Sequence, residues 1–540
     1  MMVANIADLF EHAVDAFGDR PAVFLGEQAI SYPELEERAN RLAHFLRDRG
    51  VRPGDHVGLY AGNSIEAVVA MIAVFKARAA VVNINYRYVE NELRFLFADA
   101  ELSALIHDRR FAPRVATVLA DAAGPHTVVA LPDGSAEEIG GYGGVPYADA
   151  LAAGDPARDF GERSADDLYL LYTGGTTGYP KGVLWRHEDV WRALGGGVDF
   201  MTGIPLEDEW AQSTRGASGT AMVRLCMAPL IHGNAQWAVL AALFAGDTVV
   251  LLSRFDPEEV WRTVERRRVN VLVLIGDAMA RPIIEAYAAG GYDGSSVAAV
   301  SSSGALFSPG VKRQYLELLP DVLVTDAIGA SETGFIGLGV VAEVPGGAVQ
   351  DPRVTPGPDT VVLGPDGRPV PPGAEGRLAK SGFLPLGYYK DPVKTAALLI
   401  EVDSVRYALP GDLARLEVDG TITLLGRGST CVNTGGEKVF PEEVEGALKT
   451  HPDIFDALVV GVPDERLGQR VAAVIQPRAG GTLDLAAVRT HLRERIAGYK
   501  VPRSIWLVAE ISRTISGKAD YKWAQRHAEQ HPAEEVSHAD

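Results

Sequence analysis

The sequence predicts an α/β protein: a large N-terminal region of two α/β subdomains plus a small β-barrel, followed by a small α+β C-terminal domain. Three observations predict it. Continuous apolar strand candidates alternate with helical patterns through the first part of the chain, the signature of parallel sheets covered on both faces. From about residue 351 to residue 426 the texture changes to short strands with turn punctuation, as in VVLGPDGRPVPPGAEGRL and ARLEVDGTITLLG. After residue 427, helical and strand patterns mix in one compact segment.

The elements follow in order. Ser31 and Glu34 form a capping box with Pro33 in the first turn, and Leu35, Ala39, Leu42 and Leu46 recur at helical spacing until Gly50. Strand HVGLYAG, a helix over 64–77 and strand AAVVNIN, ending at Asn85, come next. The alternation resumes with VVLL at 249–252, a helix over 256–268, strand NVLVLIG, a helix over 308–319 and strand VLVT. In the last part the pattern predicts a helix over 441–450, strands near 457–462 and 471–476, a helix over 483–496 and a strand around 505–508. No internal repeat is evident.

The 540 residues are about 3.6 times the ~150-residue domain prior, so several subdomains are expected. With 47% hydrophobic and 23% charged residues the composition is that of a globular protein. Fifty-one basic against 71 acidic residues give a net charge of −20, the wrong sign for neutralising a nucleic-acid backbone. A small anion remains admissible, because screening over roughly 8 Å lets a local basic pocket outweigh the distant field. Two cysteines, Cys226 and Cys431, suit a reducing compartment, and the first residues lack a secretory pattern, so the cytoplasm is expected. The most apolar stretch, 67–75, is interrupted at Lys76 and Arg78, so no transmembrane segment is expected.

The strongest local signal is LYLLYTGGTTGYPKGV over 168–183: an apolar strand feeding a Gly/Thr loop. Gly174, Gly175 and Gly178 let backbone amides approach an anion, Thr173, Thr176 and Thr177 add hydroxyls, and Lys181 adds a positive charge. That is a phosphate cradle. It is not a Walker loop, because the lysine lies between Pro180 and Gly182. An ordinary Gly-rich turn is the plainer alternative.

With these residues the chain resembles the adenylate-forming superfamily of acyl-CoA synthetases, amino-acid adenylation domains and luciferases. APLIHGNAQW resembles its substrate-gate segment, SSSGAL its adenine-binding turn and DAIGASETG the segment bearing its metal-binding glutamate. YALPGDLA resembles the ribose motif, GRGSTCVNTGGEKVFPEEVE the hinge and C-lobe entry, and SRTISGK the mobile catalytic lysine. The order matches throughout. The spellings YTGGTTGYPKGVLWRHEDVW, DAMARP and NTGGEKVFPEEVE look most like a bacterial fatty-acyl-CoA synthetase branch that includes sterol side-chain acid CoA ligases.

The resemblance implies an acyl-CoA synthetase-like fold with residues 1–426 binding AMP and the acyl group, a hinge at 427–431 containing Ser429, a mobile C-terminal domain at 432–530 and a frayed tail at 531–540. It implies that a carboxylic acid and ATP give acyl-AMP and pyrophosphate, and that CoA then gives acyl-CoA and AMP. Thr173 and Glu332 would hold Mg²⁺. The 173–178 loop, Lys181, Ser303, Gly304, Ala305, Asp326, Ile328, Gly329, Ser331, Asp412, Arg427 and Lys518 would bind ATP, with Lys518, Glu332, Arg427 and Lys181 catalytic. His232 and Gly304 would meet the acyl group, and Gly435, Gly436, Glu437 and Lys438 would meet CoA.

Plainer roles stand beside these: a solvated Glu332 or Lys518, a turn-capping Asp412, an ion-paired Arg427, a core His232. Ile328 replaces the usual stacking Tyr, Ser429 and Asn433 replace charged residues near the hinge, and Gly174 stands where Ser is frequent. Gly216, Ala217, Gly219 and Ala221 suggest room for a long or polycyclic acid. Two other classes share parts of the pattern: an acyl-AMP ligase loading a carrier protein, and a non-catalytic nucleotide-binding protein. Gly337, Gly339 and Ala342 fit a dinucleotide-binding G-x-G-x-x-A, with EVPGG following instead of a helix. A homodimer is one option for the oligomeric state.

Overall fold

The computed structural model describes residues 4–120, 124–173, 180–199, 202, 204–304, 307, 309–341, 353–427, 432–439, 441–449, 451–478, 483–512 and 521–536. The chain divides into two compact units. One gathers Met1–Tyr86, Phe97–Tyr172 and Gly182–Gly426, the other Arg87–Leu96, Thr173–Lys181 and Arg427–Asp540.

Two sheets organise the first part of the chain. One has eight strands, in the order Gly387–Tyr388, Lys181–Arg186, Leu168–Thr173, Ala80–Asn83, His56–Tyr60, Leu102–Asp108, Thr127–Leu131 and Val145–Pro146, parallel from the third onward. The other has a parallel core of Pro21–Leu25, Thr248–Leu251, Val223–Cys226, Val271–Leu274, Ala299–Ser303 and Leu323–Ala330. Both cores are buried apolar runs, as parallel sheets covered by helices require.

Among the described residues the short strands after residue 351 do not close into the expected barrel. Gly334–Val341 pairs antiparallel with Leu323–Ala330 on one side and with Arg353–Pro356 on the other, so the β region continues the parallel sheet as an open extension. Gly337 and Gly339 make this junction possible: a Cβ on either would lie 2.7 Å from a carbonyl oxygen of the neighbouring strand, Thr355 or Arg353. They serve backbone approach in a strand, which removes the dinucleotide reading of these glycines; Ala342 lies outside the described residues.

Helix Tyr32–Asp48 has its capping box: the Ser31 amide donates to Glu34 Oε2 at 2.9 Å, and Leu35, Ala39, Leu42 and Leu46 are buried. Helix Ile65–Lys76, capped by Ser64, is buried on every side and ends on a fully buried lysine. Lys76 Nζ donates to Glu11 and, at 3.0 Å, to Glu36, and those carboxylates also bind Arg163 and Arg158. Burial disfavours the Glu11 charge, but Arg163 and Lys76 outweigh it and hold its pKa below the usual carboxylate range. Removing one member of such a cluster costs about 3–5 kcal/mol, because the remaining charge is stranded. Among the described residues no helix is long and apolar enough to cross a membrane.

In the second unit, strands Glu437–Val439, Val432–Thr434, Gly468–Pro477, Ser504–Leu507 and Glu535–Val536 form a sheet, with Ile454–Asp464 also pairing to Gly468–Pro477. Helices Pro441–Lys449 and Leu485–Arg493 pack on one face and Tyr521–Gln530 on the other. The tail expected to fray is partly ordered: Glu535 and Val536 pair with Ile505 and Ser504, and the Trp506 indole donates to His531 O at 2.9 Å.

Lys500 is buried in this unit, donating to Glu92 Oε1 at 2.8 Å and Glu443 Oε1 at 2.6 Å. Burial pushes the Glu443 carboxyl up to about 7, against the pull of Lys500. A carboxyl with a folded pKa above its unfolded value destabilises the fold progressively as pH rises from about 4.5 to about 7, because the unfolded chain ionises first. Glu443→Gln should therefore flatten the loss of melting temperature between pH 5 and pH 8 relative to the parent chain, read by calorimetry at both pH values. An unchanged difference would show that Glu443 does not titrate in that window.

Candidate functional site

The carboxyl ends of neighbouring parallel strands place several of the sequence-selected residues along one edge, where open α/β sheets bind ligands. Ser303 ends Ala299–Ser303 and aligns with Ala327, while Ser302 aligns with Asp326. Gly304 follows with φ +78°, a conformation that favours glycine, and the Ser302 hydroxyl accepts a bond from the Gly276 amide at 3.0 Å. Asp326 is buried, and its Oδ2 is bound by Lys312 Nζ at 2.8 Å. The sequence reading missed Lys312, which looks like any helix-face lysine until its fold partner is known. Ile328 packs against the cluster of Ile336, Val354 and Val362, giving an aliphatic surface. At Gly329 a Cβ would meet the Gly334 carbonyl at 2.7 Å.

Glu332 stands at the tip of the hairpin between Leu323–Ala330 and Gly334–Val341. Two aromatic side chains from adjacent strands hold that tip. The Trp185 indole donates to Ser331 O at 2.9 Å, and the Tyr388 hydroxyl donates to Glu332 Oε1 at 2.9 Å. Trp185 lies on Lys181–Arg186, and Tyr388 pairs with Val183 of the same strand. Tyr388 is thus a site residue that no sequence motif revealed. Among the described residues no three His, Cys, Asp or Glu side chains converge as a metal centre. One carboxylate plus a hydroxyl such as that of Thr173 is too few protein ligands for a caged cation but suits Mg²⁺ carried on phosphates.

Strand Leu168–Thr173 delivers Thr173 at its end, and Lys181 opens the following strand. Gly174, Gly175, Thr176, Thr177, Gly178, Ala305, Ser429 and Lys518 lie outside the described residues, as does the side chain of Arg427. Asp412 opens strand Asp412–Leu416 and is half-buried. His232 is the N-cap of helix Gly233–Phe244. The segment before it, residues 228–231, is irregular with Ala228, Leu230 and Ile231 buried, so its backbone groups need partners other than a regular ladder. Side-chain amides supply them: Asn63 donates to Ala228 O at 3.1 Å and accepts from Leu230 N at 2.8 Å, Gln236 donates to Leu230 O at 2.8 Å, and Asn83 donates to Ile231 O at 2.6 Å.

Gly435 and Gly436 have φ +57° and +86° and close the two-residue turn between Val432–Thr434 and Glu437–Val439. Glu437 is buried, 3.8 Å from Arg87, whereas Lys438 is half-buried on the other side of the strand. The small residues expected to leave acyl space do not all do so. A Cβ on Gly216 would lie 2.0 Å from Ala245 O, so this glycine permits helix Ala211–Ser218 to pack against its neighbour.

The AMP-binding enzyme model matches residues 10–389, and the AMP-binding enzyme C-terminal domain matches 443–518. The chain belongs to the AMP-binding enzyme family. This AMP-binding enzyme is 52% identical over 545 residues to a 3-oxocholest-4-en-26-oate–CoA ligase from Rhodococcus rhodochrous, covering 99% of this chain and 98% of that protein. It is 54% identical over 537 residues to a medium/long-chain-fatty-acid–CoA/3-oxocholest-4-en-26-oate–CoA ligase from Mycobacterium tuberculosis, covering 98% and 97%. The fold matches the amide bond synthetase McbA from Marinactinospora thermotolerans with a TM-score of 0.79 at 24% identity, covering 96% of this chain and 99% of that one.

Because Tyr388 orients Glu332, Tyr388→Phe should lower ATP–pyrophosphate exchange about ten- to a hundredfold, the value of one hydrogen bond to a charged group. Magnesium titrations of the exchange rate should shift to higher concentration while the melting temperature stays put. A variant indistinguishable from the parent would remove Tyr388 from the site.

Proposed function

We propose that the chain is an AMP-forming acid–thiol ligase that activates medium- or long-chain fatty acids or a steroid side-chain acid with ATP and transfers the acyl group to CoA. The observation that carries this reading is end-to-end identity above 50% to CoA ligases named for those acids. The edge that gathers Ser303, Gly304, Asp326 and Glu332 supports it.

In this reading the first half-reaction brings two anions together, so the protein acts mainly by neutralising charge and by positioning. The 173–178 loop and Lys181 hold phosphates through backbone amides, hydroxyls and a fixed positive charge. Ser303, Gly304, Ala305, Asp326, Ile328, Gly329 and Ser331 surround the nucleotide, the Asp326 carboxylate being set by Lys312. Asp412 accepts hydrogen bonds from two ribose hydroxyls, as only an ionised carboxylate can do with both oxygens. Arg427 and Lys518 meet the phosphate and the incoming carboxylate. Glu332 and Thr173 would hold Mg²⁺, which would supply Lewis-acid stabilisation of phosphate oxygens. His232 and Gly304 border the acyl group. Residues 427–431, with Ser429, act as the hinge between residues 1–426 and 432–530, and the turn at Gly435, Gly436, Glu437 and Lys438 receives the pantetheine arm in the second half-reaction.

The test is a panel of short, medium, long, aromatic and steroid-side-chain acids with ATP, magnesium and CoA, reading AMP and acyl-CoA. Long or steroid acids should give CoA-dependent product. Acyl-AMP that ignores free CoA would instead identify a carrier-loading ligase, and no AMP with any acid would sink the proposal. Lys518→Ala should lose acyl-AMP formation by at least a hundredfold, the scale of one preorganised electrostatic group. It should spare thioester formation from supplied acyl-AMP; equal loss of both would contradict its role.

A further inference from the structure

Asn83 ends strand Ala80–Asn83 at the carboxyl edge of the eight-stranded sheet and is 7% exposed. Its neighbour Val82 is aligned with Leu170 of strand Leu168–Thr173. Two residues further along that strand, the Asn83 side chain takes over the ladder. Oδ1 accepts from Tyr172 N at 2.7 Å, and Nδ2 donates to Tyr172 O at 2.9 Å, so the amide mimics a peptide group. The second Nδ2 hydrogen goes to Ile231 O at 2.6 Å. These partners fix the amide orientation, since a flipped group would set its oxygen against two carbonyls. Tyr172 immediately precedes Thr173 and the phosphate loop, and Ile231 immediately precedes His232 in the gate segment.

Asn63 and Gln236 hold the same gate segment without bonding Tyr172. One rigid, planar group therefore serves both backbones, and displacing either one strands a buried carbonyl or amide at the other, which is costly. We propose that Asn83 is a positioning residue that makes seating of the acid at the gate and seating of ATP at the phosphate loop depend on one another. This rests on the acid-activating reading given above.

The test uses the full chain and reads ATP–pyrophosphate exchange, Mg-ATP binding by calorimetry and melting temperature. In the parent chain the KM for ATP should fall at least about fivefold between trace and saturating acid, the lower range of energetic coupling between sites. Asn63→Ala should raise the acid KM and keep that dependence. Asn83→Ala should abolish it, with calorimetric ATP affinity no longer responding to acid, and Asn83→Asp should be no better because a carboxylate has no hydrogens to give.

Retention of the dependence in Asn83→Ala, or equal loss in Asn63→Ala, overturns the proposal. An active parent chain whose ATP KM ignores acid overturns it too, while leaving the ligase reading intact; a parent chain that forms no AMP with any acid defeats the ligase reading itself. Should the Asn83 variants fail to fold, Thr173→Ala and His232→Ala combined in one chain decide the matter. Their effects on exchange should be non-additive by about fivefold or more, and additivity overturns the coupling.

Discussion

Buried irregular backbone has to be hydrogen-bonded by something, and at the carboxyl edge of this protein that something is a small set of side-chain amides. The segment at residues 228–231 is too short and too bent to join either sheet, yet Ala228, Leu230 and Ile231 are almost wholly excluded from solvent. Asn63, Asn83 and Gln236 solve the pairing from a loop, a strand and a helix, and Gln236 is itself held by the Tyr169 hydroxyl at 2.8 Å. The same logic governs the Glu332 hairpin, whose tip is pinned by an indole and a phenol from neighbouring strands. Loops at this edge can be irregular because packed elements carry the groups that satisfy them.

Much of the architecture was legible because local chemistry and burial agree. The capping box at Ser31 and Glu34, and the apolar stripe behind it, needed nothing but helix physics to be read. The β region was read less well. Short strands with Gly/Pro turns signal antiparallel pairing but say nothing about which edge they join, and the deciding contacts at Gly337 and Gly339 are made by carbonyls eighteen and fourteen residues further along (355 − 337 and 353 − 339). The ordered pairing of Glu535 and Val536 was hidden for a similar reason: their polar surroundings look frayed until the Ser504–Leu507 edge is in place.

The candidate site divides in the same way. Residues inside contiguous motifs, such as Glu332, Ser303 and Gly304, were marked by the resemblance of those motifs to the adenylate-forming superfamily. Residues that hold them could not: Tyr388, Lys312 and Asn83 act through partners 56, 14 and 89 positions away, and nothing in their immediate sequence marks them. Gly216 shows the converse error, a small residue that looked like open space and is close helix packing.

The buried Lys76 has a bearing on which parts of the chain depend on one another. Glu11 and Glu36 are already synthesised when that helix emerges, but Arg158 and Arg163, which complete the balance of charge around it, come more than eighty residues later (158 − 76 = 82). Without that arginine pair the buried lysine would face an excess of carboxylates in a dehydrated setting, so the charge balance of this helix end is set by residues far along the chain. The cluster thereby ties the stability of the most apolar helix to the segment carrying Arg158 and Arg163.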